Sequence, residues 1–438
     1  MGRSSIVYVI GLSLIVGLVL NNLSHTSLNS MNTYVNYYGA TQAHNIAVSG
    51  ANIASSKLLM YGGTPQNFGV TFFGGYDTLL YAINTPVANS VTIYSYSWTF
   101  SGDTSGTYRD TVQAVFQKVQ FSQFSWFTES EVNGYLNPDG THGPYYGASD
   151  WKITGDSVWG PAHTNNHFNL DGRPYFDQKV TALYPAVLGG TGNPDYHGGY
   201  EWNVYEKRPT PANLEANMEA FAGSGGAVFD GAGGTKDVEL TFINDQVRVQ
   251  VPPNGSLEDT TLPISALAPN GVIVVEHGDV HVKGTYQGAV TVAAFGGSSY
   301  PNKGNVWIDG NVVAKTDPSQ DPSSTDKLGL VAGRMAYITE DDTRNSSSEL
   351  NLQAAVYCEN GELTAQNFWN IPVSGRVNLY GGVTQISAGS LGVFNPGPPL
   401  ALLHGMSYSV HNDPRFLTSA PPDFPVSDSY QMVSWWEN

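Results

Sequence analysis

The sequence predicts a mainly β protein with one long N-terminal α-helix and a C-terminal body that is a β-solenoid of the β-helix kind, with a β-sandwich as the alternative. Three observations carry that expectation. Residues 4–56 contain no Asp, Glu, Lys, Arg or Pro, and a helical pattern runs through them. Gly (49), Tyr (25) and Pro (25) are plentiful while only 13% of residues are charged, a composition suited to turns and half-buried pleated surfaces. The C-terminal half is a succession of short apolar runs separated by turn residues, not at a strict period.

The N-terminal helix comes first. After Arg3, the run Ile6–Leu20 is apolar apart from Gly and Ser; its helix would reach about 22 Å, against a hydrocarbon core of about 30 Å. No small-x-small cleavage site follows Leu20. The chain instead stays helix-compatible, with Leu28, Met31, Val35, Tyr38, Gln42, Ile46, Gly50 and Ile53 at spacings of three or four, one face of a helix. Gly62-Gly63 makes a natural stop. The opposite face holds Asn, Ser, Thr, Gln, Gly and Ala, where an ordinary amphipathic helix carries charges. Small, uncharged polar residues are what close helix–helix packing uses. Leu28, Met31, Val35, Tyr38, Ile46, Gly50 and Ile53 are therefore the expected assembly residues of a helix buried among copies of itself. A single membrane anchor with a mobile stalk, and a cleaved signal peptide, are the other readings of the same segment. Arg3 is the only charge before the apolar run, so the positive-inside bias places the N-terminus in the cytoplasm and the body outside.

The patch Ala43-His44-Asn45-Ile46-Ala47-Val48-Ser49-Gly50-Ala51-Asn52-Ile53-Ala54, following an apolar segment, resembles the first helix of the type IV pilin superfamily, minor pilins and secretion pseudopilins in particular. The chain departs from that pattern in lacking an early Glu, its first being Glu129. The resemblance implies a structural subunit of an extracellular filament, with copies of itself as partners and the inner membrane as the helix's place before assembly. A minor or tip pseudopilin is the variant of that expectation. A second resemblance covers Gly155-Asp156 through Gly160-Pro161-Ala162-His163-Thr164-Asn165, Leu379-Tyr380-Gly381-Gly382-Val383-Thr384-Gln385, and Asp413-Pro414-Arg415 through Pro421-Pro422 to Ser434-Trp435-Trp436-Glu437. These stretches are similar to a family of bacterial envelope proteins that pair a pilin-like N-terminus with a β-helical body; the family implies location and architecture, and no activity.

The body divides, on this reading, into a Gly- and aromatic-rich β domain over 63–230 and a solenoid-like domain over 231–438, after the helix of 1–62. The break is expected at the Gly-rich stretch Gly223–Gly234. Short strands are expected at Phe68–Phe73 and Ser90–Phe100. In the second, Tyr94, Tyr96, Trp98 and Phe100 fall on one face, expected to be the packing face of a sheet. Trp151–Trp159 reads as two short strands joined at Gly155-Asp156, and Gly160–Asn165 as a turn. Pro209–Phe221 reads as a helix, with Leu214, Met218 and Phe221 on its inner face. Strands are then expected at Gly271–Val275, Asp279–Val282, Gly288–Val292, Asn305–Ile308, Leu328–Val331, Leu350–Tyr357 and Arg376–Tyr380. A body starting near Gly62 is expected to stay folded without the helix.

Lys plus Arg total 19 against 37 acids, a formal charge of −18. No basic stripe offers itself to a nucleic acid; the acidity suits an exposed, soluble surface and divalent cations. Cys358 is the single cysteine, which excludes an intrachain disulfide and a multi-cysteine zinc site. Asp317, Asp321 and Asp326 share a Pro/Ser loop, and clustered carboxylates make calcium the candidate ion. Asp195 with Asn193 is a weaker candidate, and no other cofactor is expected. His163 and His167, four apart and near Asp156 and Asp171, sit where Pro161 and an Asn-rich run argue for a turn, so hydrogen-bonded histidines are expected there in preference to a metal site. No phosphate loop and no Gly-x-Ser-x-Gly elbow is present, and no enzyme is expected. The competing reading is a membrane-tethered solenoid that binds or cleaves polysaccharide.

Overall fold

Helix α1 runs unbroken from Arg3 to Tyr61 in a computed structural model of the chain, 59 residues or about 88 Å. The structure describes residues 3–61, 69–72, 77–84, 90–100, 107–190, 192–205, 213–231, 234–251, 259–341, 343–395, 401–417 and 419–437. It is mainly β, with this one long helix and large sheets. Two compact units make it up: residues 1–119 with 428–438, and residues 120–427.

In the first unit, strands β1 (Gly69–Phe72), β2 (Asp77–Asn84), β3 (Ser90–Phe100) and β4 (Thr107–Gln120) form an antiparallel meander. The chain's closing strand, Val426–Glu437, lies beside β4. The C-terminal half of α1 covers this sheet with a stripe of small residues, Ala43, Ala47, Ala51 and Ala54, ending in Leu58, all buried. Spacings of four, four, three and four keep them on one helical face. Val91, Ile93, Val112, Ala114 and Phe116 meet that stripe, with Trp435 and Tyr430 of the closing strand packed alongside. The fit is close enough for backbone contact: the Ser97 hydroxyl donates to the Ala43 carbonyl at 2.5 Å and Thr99 to the Gly39 carbonyl at 3.1 Å. Gly39 has no room for a side chain, since a Cβ there would sit 2.3 Å from the Tyr108 ring.

This packing reverses the expected role of β3. Its buried face is Val91, Ile93, Ser95, Ser97 and Thr99, while Tyr94 and Trp98 are half-buried and Tyr96 is exposed on the other face. Bulky rings under α1 would hold the helix away from the sheet, so the small polar residues take the inner face and bond the helix carbonyls. Of the expected strand at Phe68–Phe73, residues 69–72 are β1; Phe68, Phe73 and the Phe100 side chain lie outside what is described.

The second unit is built from parallel strands in register. One ladder runs Ala227–Asp230, Val272–Glu276, Ala289–Phe295, Lys327–Ala332, Glu349–Cys358 and Val373–Ser387. It continues through β5 (Trp126–Ser130), then Ala162–Thr164, Val180–Ala182 and Tyr200–Trp202. A second ladder runs Val238–Asn244, Val280–Tyr286, Val306–Ala314, Ala336–Ile338 and Leu363–Ala365. The chain thus enters in the middle of the first ladder, builds one end, and returns from the other. Between the ladders lies one large apolar core that includes Ile273, Val275, Val292, Leu330, Val356 and Val383. The opposite face of the same strands is buried too, with Val272, Val274, Ala293 and Tyr357 under Leu214, Met218, Phe416 and Phe424. Burial on both faces explains why these strands read as continuous apolar runs.

Three expectations change here. The stretch Gly223–Gly234 is no domain boundary: Ala227–Asp230 pairs directly with Val272–Glu276, so the chain passes through it inside one unit. The helix over 209–221 is α2 (Leu214–Gly223), whose inner face is Leu214, Met218 and Ala222; an i, i+4, i+8 stripe leaves Phe221 exposed, and residues 206–212 lie outside the described set. Residues Ala162–Thr164, expected in a turn, form a ladder strand.

Candidate functional site

The first candidate is the surface of α1. Leu28, Met31, Tyr38 and Val35, the last 40% exposed, all stand clear of the chain's own sheet. Ile46 is buried, as is Gly50, and Ile53 is at the margin of exposure. The expected stripe therefore splits: its first four residues are free, while Ile46 and Gly50 belong to the face that docks on the first unit. The true docking stripe is rotated toward the alanines, a signal present in the sequence as Ala43, Ala47, Ala51 and Ala54. The apolar run is also uncovered, and α1 is long and apolar enough to cross a membrane. Several of its hydroxyls are satisfied within the helix. Ser13, Thr26, Ser30, Thr33 and Ser49 each donate to the carbonyl four residues earlier, at 2.7–2.9 Å. Hydroxyls bonded within their own helix ask little of water, which lets an uncharged polar helix pack into lipid or against other helices.

A second candidate, not foreseen from the sequence, is a buried charge network in the second unit. Lys152 is only 1% exposed and reaches Asp150 at 2.5 Å and Glu131 at 3.3 Å. Its ammonium lies 4.1 Å from the centre of the Trp126 ring. Burial alone would push that ammonium down, but Asp150 and Glu131 hold it above its usual range. Glu131 is raised by burial against the pull of Lys152. Beside them Glu362 is raised well above the carboxylate range, again by burial, though the Gly134 amide donates to it at 2.6 Å. Burial likewise pushes Asp156 up to about 7, with the Ile153 amide donating to it at 2.8 Å. Ser390 donates to Asp150 at 2.7 Å. Asp150 also lines a cavity of about 420 Å³ with Asn133, Tyr145, Trp151, Phe368 and Phe394. The network ties together residues from 131 to 390. With two carboxylates on one lysine it is an internal brace first; the cavity beside it is a place where a ring-shaped ligand would meet aromatic walls.

The expected calcium residues do not converge. Asp317 accepts from the Ser319 amide and hydroxyl and from Gln353; Asp321 accepts from Ser323; Asp326, buried, accepts from the Gly288 and Thr316 amides. Asp317 and Asp321 each close their own turn, the local habit of Asp with Ser two residues on, while Asp326 holds backbone amides 10 and 38 residues away. Among the described residues, the acidic and histidine group whose ligand atoms all lie within 4.8 Å is Asp230, Glu276 and His277. His163 is buried and bonded on both nitrogens, to Thr181 at 2.7 Å and Asn165 at 2.9 Å, and burial lowers its pKa. His167 is not drawn into any such group, nor are Asp156 and Asp171. Asp195 pairs with Arg173 at 3.2 Å.

No family model and no curated protein matches this chain. Among solved structures it is similar to the competence-associated pilin ComZ from Thermus thermophilus, at 14% identity over 91% of this chain and 98% of that one, with a TM-score of 0.35. A likeness at that level carries no inference about this chain.

Proposed function

We propose that this chain is a structural subunit of a pilin-like extracellular filament, assembled through α1 and displaying an acidic β body outside the cell. The observation that carries the reading is the division of α1. Residues 39–58 are docked on the chain's own sheet through small side chains, while residues 5–38 are continuous helix, without Asp, Glu, Lys or Arg, and almost wholly exposed. A chain alone in water gains nothing from such a surface; a membrane before assembly and neighbouring copies after it supply what would cover it. The parallel ladders, with paired positions recurring about every 20 residues over Ala162, Val180 and Tyr200, support the solenoid reading of the body. The chain acts in this reading without a catalytic centre.

The experiment is imaging of surface material from cells carrying a tagged chain, beside a Val35→Lys strain. Fibres that contain the tag, and their loss in the variant while the protein accumulates normally in the membrane, are the expected results. Gly50→Asp is the poorer variant, because Gly50 is buried on the chain's own sheet and its loss would damage the subunit itself. The aromatic cavity beside Asp150 favours a second reading, a tethered body that binds or cleaves polysaccharide. Sugar release or sugar binding by the purified chain, with no fibres on wild-type cells, would select that reading instead.

A further inference from the structure

Alternation along Val272–Glu276 decides where one acid points. Val272 and Val274 face α2 in a buried apolar cluster, and a residue two further on shares their face, so Glu276 continues a row of valines. It is 7% exposed, and its Oε1 is buried with no hydrogen-bond partner. A buried carboxylate oxygen left without a partner is destabilising, so something besides packing accounts for an acid here.

Its surroundings say what. Asp230 ends the neighbouring strand directly opposite Glu276 in the parallel register, and registered partners share a face. His277 follows in a left-handed turn, φ 58°. Ligand atoms of the three lie within 4.8 Å of one another. Nδ1 of His277 is 2.9 Å from an Asp230 oxygen, the kind of carboxylate contact that orients a metal-binding imidazole and leaves Nε2 for the ion. Helix α2 adds Glu215 and Glu219, four apart on one face. Glu219 is within hydrogen-bonding reach of Glu276, and Glu215 Oε1 and His277 Nε2 flank Gly297, at 3.4 and 3.5 Å from where its Cβ would stand. Two carboxylates and one imidazole converge, with the two glutamates of α2 beside them.

We propose that Asp230, Glu276 and His277, with Glu215 and Glu219 of α2 beside them, bind a divalent transition cation of the manganese or zinc class. Carboxylates alone would suit calcium, but an imidazole in the set favours ions that accept nitrogen as well as oxygen. The ion would clamp α2 to the edge of the ladder. The site lies wholly in the second unit and is independent of how α1 assembles.

The test uses the full chain in mild detergent, stripped with chelator and dialysed. Mn²⁺ is titrated in and free ion followed by electron paramagnetic resonance, with Zn²⁺ then added as competitor. One saturable equivalent is expected, displaced by Zn²⁺ and weakened tenfold or more in Glu276→Gln and in Asp230→Asn. Asp317→Asn/Asp321→Asn should bind as the wild type does. Asp230 is exposed, so its variant decides the matter should Glu276→Gln fail to fold. Absence of saturable binding by both ions, binding unchanged in the Asp230 variant, or displacement of Mn²⁺ by equimolar Ca²⁺ would overturn the assignment.

Discussion

Replacing Asp156 by Asn should change how the second unit's stability depends on pH. The Asp156 carboxyl is buried, and its pKa stands at about 7 against an ordinary 3.8. Below pH 3.8 it is protonated in folded and unfolded chains alike and sets no pH dependence. Above that, the unfolded chain releases the proton while the folded chain keeps it up to about pH 7, so stability falls across this window and levels off beyond it. A shift of roughly three units corresponds to about 4 kcal/mol. Asn keeps an oxygen to accept the Ile153 amide and carries no charge to desolvate. Urea unfolding of the full chain in detergent, followed by tryptophan fluorescence at pH 4, 5.5, 7 and 8.5, measures the difference between variant and wild type. Glu131 and Glu362 titrate in both proteins, so the difference isolates Asp156. The variant should gain on the wild type steadily from pH 4 to 7, by about 4 kcal/mol in all. A difference that does not vary with pH would refute the buried, protonated state of this carboxyl.

Other substitutions test the remaining parts. Val35→Lys should leave the subunit folded and abolish fibres, since an unpaired charge buried between helices costs several kcal/mol at every subunit; fibres of normal abundance on the imaged cells would count against packed helices. Gly39→Val should lower the first unit's resistance to proteolysis by about 1–3 kcal/mol of overpacking against Tyr108, and adding Tyr108→Ala should recover part of the loss in a double-mutant cycle. Lys152→Met leaves Glu131 and Asp150 facing each other without their cation, a loss of about 3–5 kcal/mol; thermal unfolding should show the loss shrinking at pH 5, where Glu131, raised by burial, takes its proton more readily, and a loss equal at pH 5 and pH 8 would contradict it. Deleting residues 3–61 should unfold the first unit and spare the second, as read by hydrogen exchange, because Val91, Ile93, Val112 and Phe116 have α1 as their cover.

What the sequence made legible followed the type of burial. The ladder strands from Val272 to Tyr380 announce themselves because both faces are covered, so apolar residues run without interruption. Helix α1 is legible from a missing class of residue, charge. The inner face of β3 was not, because aromatic residues ordinarily mark a core; here the partner is a helix of alanines lying close, and Ser97 and Thr99 fit where Tyr96 and Trp98 would not. Helix residues Ala47, Ala51, Ala54 and Leu58 share the first unit's core with its sheet, a partnership between distant segments that no local pattern carries. The Lys152 network joins residues as far apart as Glu131 and Ser390, and the Asp230–Glu276–His277 group depends on a strand register. No local pattern encodes either. The one local hint at the latter is an acid closing a row of valines, visible only once that row is known to face α2.

The first unit is assembled from both ends of the described chain. Trp435, which packs beside Ala47, Ala51 and Val112, leaves the ribosome more than 300 residues after Val112 does. At ordinary rates of synthesis that is a delay of about 15–60 s. Throughout it the sheet beneath α1 lacks its closing strand, while the intervening body is being made and its ladders can form. The helix-bearing unit thus finishes last although it starts first. The sheet under α1 therefore gains its last strand only after the second unit has been made, so the packing of Ala47 and Ala51 against Trp435 follows the synthesis of every ladder strand.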